Sequence, residues 1–331
     1  MIITRTPLRI SFLGGGTDYP EHFRRHGGQT LGTTIDKYSY VTLNRLAELF
    51  DYTIRIGYSR TELVTHLEQI QHPAVRECLR FLSIERGVEI GYAGDLPART
   101  GLGSSSSFTV GLLHALHAFR GELVHHQQLA CEAVQVEQDM IRERVGVQDQ
   151  YLCAHGGLRH LRIDTDGTVM ANPIPMSSER RTDLERHLML LYTGLQRHAH
   201  EVLEEQIDRT REGTNAPDLE ALSALVPEGV AILSRDSIPI TEFGGVLDAA
   251  WRIKCRLSSK VSNPKLDDWY ERARAAGAVG GKLLGAGGGG FLLLLAPPSR
   301  QPEVLAALPE LRPVPFRFER EGSTLLFYRP A

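Results

Sequence analysis

The 331-residue chain has only four cysteines, Cys78, Cys131, Cys153 and Cys255, and no two form a CxxC pair. That spacing argues against zinc ligation and a disulfide framework, so the four read as reduced core or surface thiols. Charge of one sign is not in excess either. The net charge of −3 gives no basis for a nucleic-acid or membrane-surface partner, and any polyanion must meet a local basic patch. Long apolar runs are missing: FLLLLA, the longest near the C-terminus, is far too short to span a bilayer. The opening MIITRTPLRISFLGG reads as a strand without a signal peptide's apolar core, so the expected location is cytoplasmic. Thirteen histidines do not supply a metal site by spacing. His125 and His126 are adjacent and diverge, and His198 and His200, two apart, fall on different faces of a helix.

What is present is an ordinary globular composition, 42% hydrophobic and 23% charged, long enough for two domains or one large one. Strands are predicted at Ile2 to Leu13, Lys37 to Leu46, Thr53 to Ser59, Val88 to Tyr92, Gly157 to Ile163 and Val169 to Ile174. Helical spacing covers Pro73 to Arg86, Phe108 to Phe119 and Gln127 to Arg142. After a Pro- and Ser-containing stretch, Pro173 to Ser178, come a strand at His187 to Tyr192 and helices at Arg197 to Arg211, Leu219 to Ser234, Phe243 to Leu257 and Pro264 to Ala276. Ala278 to Ala296 reads as strand, glycine loop, strand, and two late strands, Val314 to Glu319 and Thr324 to Arg329, close the chain. The pattern is mixed α/β in two halves, residues 1–178 and 179–331.

The most informative stretch is Leu96 to Phe108, LPARTGLGSSSSF, followed by the apolar TVGLLHALHAF. It reads as a tight loop opening a helix. The first turn of a helix leaves N–H groups unpaired and carries positive dipole, so it can hold an anion. Gly101 and Gly103 would let a phosphate approach the backbone, and Ser104, Ser105 and Ser106 would add hydroxyls. A Ser-rich cap on a core helix explains the same residues. No Gly-Lys-Ser/Thr follows, so this is not a Walker A loop. No Gly-x-Ser-x-Gly frame fits, so it is not a hydrolase elbow.

Three motifs in order resemble those of the GHMP small-molecule kinases: Pro7-Leu8-Arg9 with Thr17-Asp18-Tyr19, Pro97 with Gly101-Leu102-Gly103-Ser104-Ser105, and KLLGAGGGGF from Lys282 to Phe291. Gly14-Gly15-Gly16 stands where galactokinases carry Gly-Glu-His. With Gly146-Val-Gln-Asp149-Gln-Tyr151 and Tyr192-Thr-Gly194, the chain resembles the bacterial heptose 7-phosphate kinase branch, while fucose and glucuronic acid kinases share parts of the pattern.

The resemblance implies an N-terminal domain like ribosomal protein S5 domain 2, a ferredoxin-like C-terminal domain, and an active site in the cleft between them. It implies ATP bound by Gly101, Leu102, Gly103, Ser104, Ser105 and Ser106, and Mg²⁺ held by Ser105 and a carboxylate, Glu137, with Glu132, Asp139 and Glu143 as neighbouring alternatives. Asp149 matches the family base, though an Asp opening QDQYLCA also suits a helix cap. Whether it accepts a proton or only orients the acceptor is open. Arg9 would steady Asp149 and the transferring group, with Arg5 as the alternative. Gly14, Gly15, Gly16, Thr17 and Asp18 are expected at the sugar, as are Gly287 and Gly288 on the cleft wall. Lys282, Lys254, Lys260 and Arg197 are candidates for a distal phosphate, Arg197 being placed at the substrate. The expected partners are ATP and a small-molecule sugar phosphate, with no nucleic acid or membrane, and a homodimer is left open.

Overall fold

The computed structural model describes residues 1–98, 100–195 and 199–329. Its first sheet has nine strands: β1 (Ile2–Leu13), β2 (Gly28–Arg45), β3 (Ile54–Gly57), β4 (Thr61–Val64), β5 (Val88–Gly94), β6 (Arg159–Ile163), β7 (Val169–Pro173) and two strands from the end of the chain. Its second sheet has four: β8 (Leu188–Tyr192), β9 (Gly280–Leu283), β10 (Phe291–Leu295) and β11 (Arg312–Pro313). The two late strands are β12 (Phe318–Glu319), which pairs with β2, and β13 (Thr324–Tyr328), which pairs with β1. Both therefore come after residue 178 in sequence yet belong to the first sheet.

The second sheet is antiparallel throughout, in the order β11-β8-β10-β9. Counted within that domain this is fourth, first, third, second, the ferredoxin-like arrangement. The architecture is the two-domain mixed α/β fold that the resemblance implies.

Strand β1 orients the side chains on which the site is built. It pairs antiparallel with β2, and the register shifts between Pro7 and Leu8. Proline has no N–H for the ladder, and Asp36 and Lys37 of β2 are passed over between Tyr38, opposite Pro7, and Ile35, opposite Leu8, a break in pairing of the bulge kind. The side chains of β1 change face across this break. Before it, Thr4 donates to Gly111 O, and Thr6 lies against Gly111 as well. Beyond it, the odd-numbered Arg9 faces the same helix assembly, against Gly103. Leu8, Ile10 and Phe12 point the other way and pack with Phe243, Leu247 and Leu219 of the second half.

The helix Ser104–Phe119 is apolar on every side and almost wholly buried, as expected of a helix in the middle of a core. Gly111 is needed there, since a Cβ would stand 2.7 Å from Thr6 Oγ1. The predicted helix Gln127 to Arg142 is shorter and changes character. It is α-helical over His126–Gln135 and becomes a π-turn over Val136–Met140, closed by Ile141 N to Val136 O at 2.9 Å. Such turns are often found at functional sites.

Several elements escape the sequence pattern. Strand β2 begins nine residues before the expected strand, because Gly28 to Asp36 lacks clean alternation: it is buried on both faces between β1 and β6. Strand β4 and the helices Ser178–His187 and Gln301–Ala307 are short or polar and carry weak periodicity. Among the described residues, no helix is long and apolar enough to cross a membrane.

His117 ties the end of the helix Ser104–Phe119 to the helix His126–Gln135. Its Nδ1 bonds Glu122 at 2.9 Å and its Nε2 bonds Glu132 at 2.7 Å. Burial alone would lower the imidazole pKa, but the bonds to Glu132 and Glu122 outweigh it and hold it above 6.5. A raised folded-state pKa stabilises the fold below the unfolded value, and that contribution fades as pH rises through the folded value. The substitution His117→Gln is expected to cost roughly 1–3 kcal/mol near pH 6. Urea denaturation should show the difference from the native chain shrinking as the pH is raised well above 6.5.

Candidate active site

Arg9 organises the site. Its Nε donates to Asp149 Oδ1 at 2.7 Å, one Nη to Asp149 Oδ2 at 2.5 Å and the other Nη to Gly101 O at 2.6 Å. Its backbone N–H donates to Leu102 O at 3.0 Å. Burial works against the guanidinium charge, but the Asp149 pair outweighs it and raises the Arg9 pKa. This two-pronged geometry is specific to arginine. Asp149 sits in the first turn of the helix Gln148–His155, whose N-cap is Val147 with no side-chain cap bond. The capping alternative thus finds no support, and the carboxylate is committed to Arg9. Arg5, the other candidate, instead pairs with Glu321.

The loop before the helix Ser104–Phe119 is as tight as its sequence suggests. Gly103, the N-cap, is left-handed (φ 73°), and a Cβ there would meet Arg9 Cγ at 2.9 Å. The bond from Ser107 N to Gly103 O, at 2.9 Å, marks the first closed turn. The N–H groups of Ser104 to Ser106 precede it and are those an anion would take. Ser105 is exposed, whereas Ser104 and Ser106 are buried.

Glu137 is 1% exposed, brought inward by the π-turn. Its Oε2 accepts from Ser106 Oγ at 2.9 Å and from Gln150 Nε2 at 2.6 Å. Its Oε1 is buried and, among the described residues, makes no hydrogen bond of ordinary geometry. Burial pushes the carboxyl pKa up to about 7, outweighing the nearby hydroxyls of Thr109 and Ser106, which favour the charged form. The structure thus joins Glu137 to Ser106, with Ser105 on the open side of the same turn. Among the described residues no group of three or more His, Cys, Asp or Glu is placed to hold a metal. A divalent ion here would draw on one carboxylate, hydroxyls and the nucleotide's own phosphates. Mg²⁺ is commonly bound that way, and the buried Oε1 is a hard oxygen suited to it. Gln150 was not apparent from sequence. The signal was its place next to Asp149: on a helix the two side chains diverge, one to Arg9 and one to Glu137.

Asp18 is 1% exposed. Its Oδ1 accepts from Gly16 N at 3.0 Å, its Oδ2 lies 3.4 Å from Gln148 N, and its carbonyl accepts from Val147 N at 3.1 Å. Burial raises its pKa. These bonds fasten the Gly14 to Gly16 turn to the segment that presents Asp149. Gly146 makes this possible, because a Cβ there would lie 1.9 Å from Asp18 Oδ2. Thr17 is fully buried and bonds Gly14 O and Gln29 O, and Gly14 would drive a Cβ to 2.0 Å from Gln29 O. Of the three glycines, Gly15 alone has ordinary clearance, with nothing nearer than Ser11 Oγ at 3.5 Å. Tyr19 has its phenol within reach of the Asp18 and Asp149 charges. Burial and those carboxylates hold it well above 10, as a neutral donor.

The glycine run from Gly285 to Gly290 packs backbone against backbone. A Cβ on Gly285 would meet Gly101 Cα at 2.5 Å, and one on Gly290 would meet Thr100 O at 2.3 Å. Gly287 lies against Val261, and Gly288 N donates to Val261 O at 2.9 Å. Both therefore contact a neighbouring loop of the second domain. Lys282 is buried and donates to Phe12 O at 2.7 Å, and Lys254 is buried and donates to Gly285 O. Lys260 is exposed. Arg197 lies outside the described residues.

Two family models match the chain: GHMP kinases N terminal domain over residues 66–157 and GHMP kinases C terminal over residues 238–313. The chain is 27% identical over 338 residues to D-glycero-alpha-D-manno-heptose 7-phosphate kinase of Campylobacter jejuni, covering 97% of each chain. It is 26% identical to a galactokinase of Pyrococcus furiosus over 86% of each chain. The crystal structure of a D-glycero-D-manno-heptose 1-phosphate kinase from Bacteroides thetaiotaomicron has the same fold, with a TM-score of 0.80 at 22% identity over 99% of each chain.

The contact between Gly146 and Asp18 can be tested on its own. The substitution Gly146→Ala should displace the segment carrying Asp149 and lower kcat by about 10²-fold, the scale of a misplacement of roughly 1 Å. The ATP dissociation constant should stay within about threefold of the native value, because the Gly101 to Ser106 loop is untouched. Steady-state kinetics with calorimetric nucleotide titration would read both.

Proposed function

The chain belongs to the GHMP kinase family, and on that premise we propose that it is a sugar 1-kinase. It would transfer the γ-phosphate of ATP to the anomeric hydroxyl of a sugar phosphate, D-glycero-D-manno-heptose 7-phosphate. The observation that carries the reading is the Arg9–Asp149 pair, set beside a serine-led helix N-terminus. The end-to-end match to a heptose 7-phosphate kinase supports the choice of sugar.

Phosphoryl transfer asks the protein for position and charge compensation more than for covalent chemistry. The first-turn N–H groups and the hydroxyls of Ser104 to Ser106 would bind the triphosphate. Each Asp149 oxygen already accepts one bond from Arg9 and keeps a lone pair for the sugar hydroxyl. Asp149 would orient that hydroxyl and take its proton as the bond to phosphorus forms. Arg9 would offset the charge on the transferring group. Ser105 and Glu137 Oε1 would hold Mg²⁺, which would supply positive charge against the phosphates. Asp18 and Tyr19 would line the sugar side.

One observation favours an unphosphorylated sugar as substrate: Lys282, one of the basic candidates for a distal phosphate, is buried and holds the Phe12 carbonyl at the joint between the two sheets. The substrates separate the readings. Heptose 7-phosphate should be turned over at least about 100-fold faster than free heptose, fucose, glucuronic acid or galactose, since a pocket built for a phosphate is left unpaired without it. Phosphorus–proton NMR should place the new phosphate at C1. Faster turnover of an unphosphorylated sugar would reverse the choice. The substitution Asp149→Asn should reduce kcat by roughly 10²–10⁴-fold with ATP affinity retained. Near-native turnover would remove Asp149 from the mechanism.

A further inference from the structure

Three buried basic side chains converge where the two domains meet: Arg9 from β1, Lys282 from β9, and Lys254 from the last turn of the helix Thr241–Leu257. They are not equivalent. Arg9 is matched by Asp149. Lys282 bonds Phe12 O, a tie from the second sheet to the first, and burial lowers its pKa far below the usual range.

Lys254 differs from both. Its ammonium has three donors, and among the described residues it has one acceptor, the neutral carbonyl of Gly285. Burial brings its pKa down to about 8, and the charge of Arg9 pulls the same way, so it remains largely protonated at neutral pH. Asp18 and Asp149 are the carboxylates within its electrostatic reach. Both oxygens of Asp149 are bonded to Arg9 and Asp18 accepts from the Gly16 and Gln148 N–H groups, so among the described residues neither carboxylate is hydrogen-bonded to Lys254. Uncompensated buried charge is unfavourable, and a bound anion would offset it.

The position narrows which anion. The Gly285 turn that Lys254 holds lies against Gly101, and Gly101 O accepts from Arg9. Lys254 therefore stands beside the turn that packs on the phosphate loop, with Arg9 and Asp149 close enough for their charges to act on it.

We propose that Lys254 is a second cationic ligand of the transferring phosphoryl group, supplied by the C-terminal domain as Arg9 is supplied by the N-terminal one. This rests on the kinase reading and is independent of which sugar is the acceptor. In the step itself, the C1 oxygen forms its bond to the γ-phosphorus while the bond from that phosphorus to the β–γ bridging oxygen breaks. ADP leaves with that electron pair, and the hydroxyl proton goes to Asp149. Lys254 gives up no proton. Its two remaining N–H groups donate to γ-phosphoryl oxygens as their charge rearranges.

The competing explanation is that Lys254 only holds the Gly285 turn. The substitution Lys254→Gln separates the two, because an amide can still donate to the Gly285 carbonyl while the charge is gone. The expected result is a fall in kcat of about 10²–10³-fold, the usual effect of losing one charge-stabilising donor. Lys254→Arg should keep kcat within about tenfold of native, since it retains charge and donors. Nucleotide binding gives a readout that needs no sugar. In Lys254→Gln the dissociation constant of AMP-PNP should rise by about tenfold with that of ADP unchanged, because only the former carries the γ-phosphoryl group. In the native chain, AMP-PNP with Mg²⁺ should protect Lys254 from an amine-reactive ester more strongly than ADP does, so the test stands even if the variant fails to fold. A Gln variant with kcat within about threefold of native, an unchanged AMP-PNP to ADP ratio, or equal protection by the two nucleotides would overturn the proposal. A chain that turns over no sugar tried would count against the substrate reading, while the binding ratio would still decide the role of Lys254.

Discussion

The two-pronged contact between Arg9 and Asp149 is the interaction on which the candidate site depends. It joins β1 to the helix Gln148–His155, and through Gly101 O it joins both to the phosphate loop. Strict alternation continued from Thr4 and Thr6 would carry Leu8, Ile10 and Phe12 to the helix side of β1 and Arg9 to the side of the second domain. A guanidinium there would lie in the apolar layer that packs on the second domain, and Asp149 would have no partner. The break in β1–β2 pairing at Pro7 thus coincides with the change of face that puts the charge on the Asp149 side.

The second constraint is close backbone approach. Two glycine loops from different domains touch at Gly101 and Gly285, so the cleft is closed on one side by chain with no side chains between. The glycines of the third motif serve this contact and the packing on Val261 and Leu195. The four-residue glycine run has a large entropic cost, and a backbone-to-backbone interface between domains accounts for it without any ligand. Gly146 likewise permits a close approach, here of the Asp18 carboxylate.

Much of this was legible because it is local. The Pro-, Gly- and Ser-rich loop, the helix after it, and the β9–loop–β10 hairpin are marked by residues whose preferences act within a few positions. Arg9, Asp149 and Glu137 could be named by resemblance. What sequence could not reveal depends on rotation and on distance along the chain. Which of Ser105 and Ser106 meets Glu137 is set by the helix's azimuth. The inward turn of Glu137 is set by a π-turn that no periodicity announces. The return of β12 and β13 to the first sheet pairs Ile2 with Tyr328 and Ile35 with Phe318, a closure that local pattern cannot specify. Lys254 and Lys282 look like surface lysines in sequence, and only the packing of two domains buries them.

The central claim is that Arg9 and Asp149 act as one unit. A double-mutant cycle on kcat, built from Arg9→Gln, Asp149→Asn and the pair, tests it most directly. The account predicts strong non-additivity, with the double variant no slower than the slower single variant within about threefold. Loss of activity in the double variant equal to the product of the two single losses would contradict it.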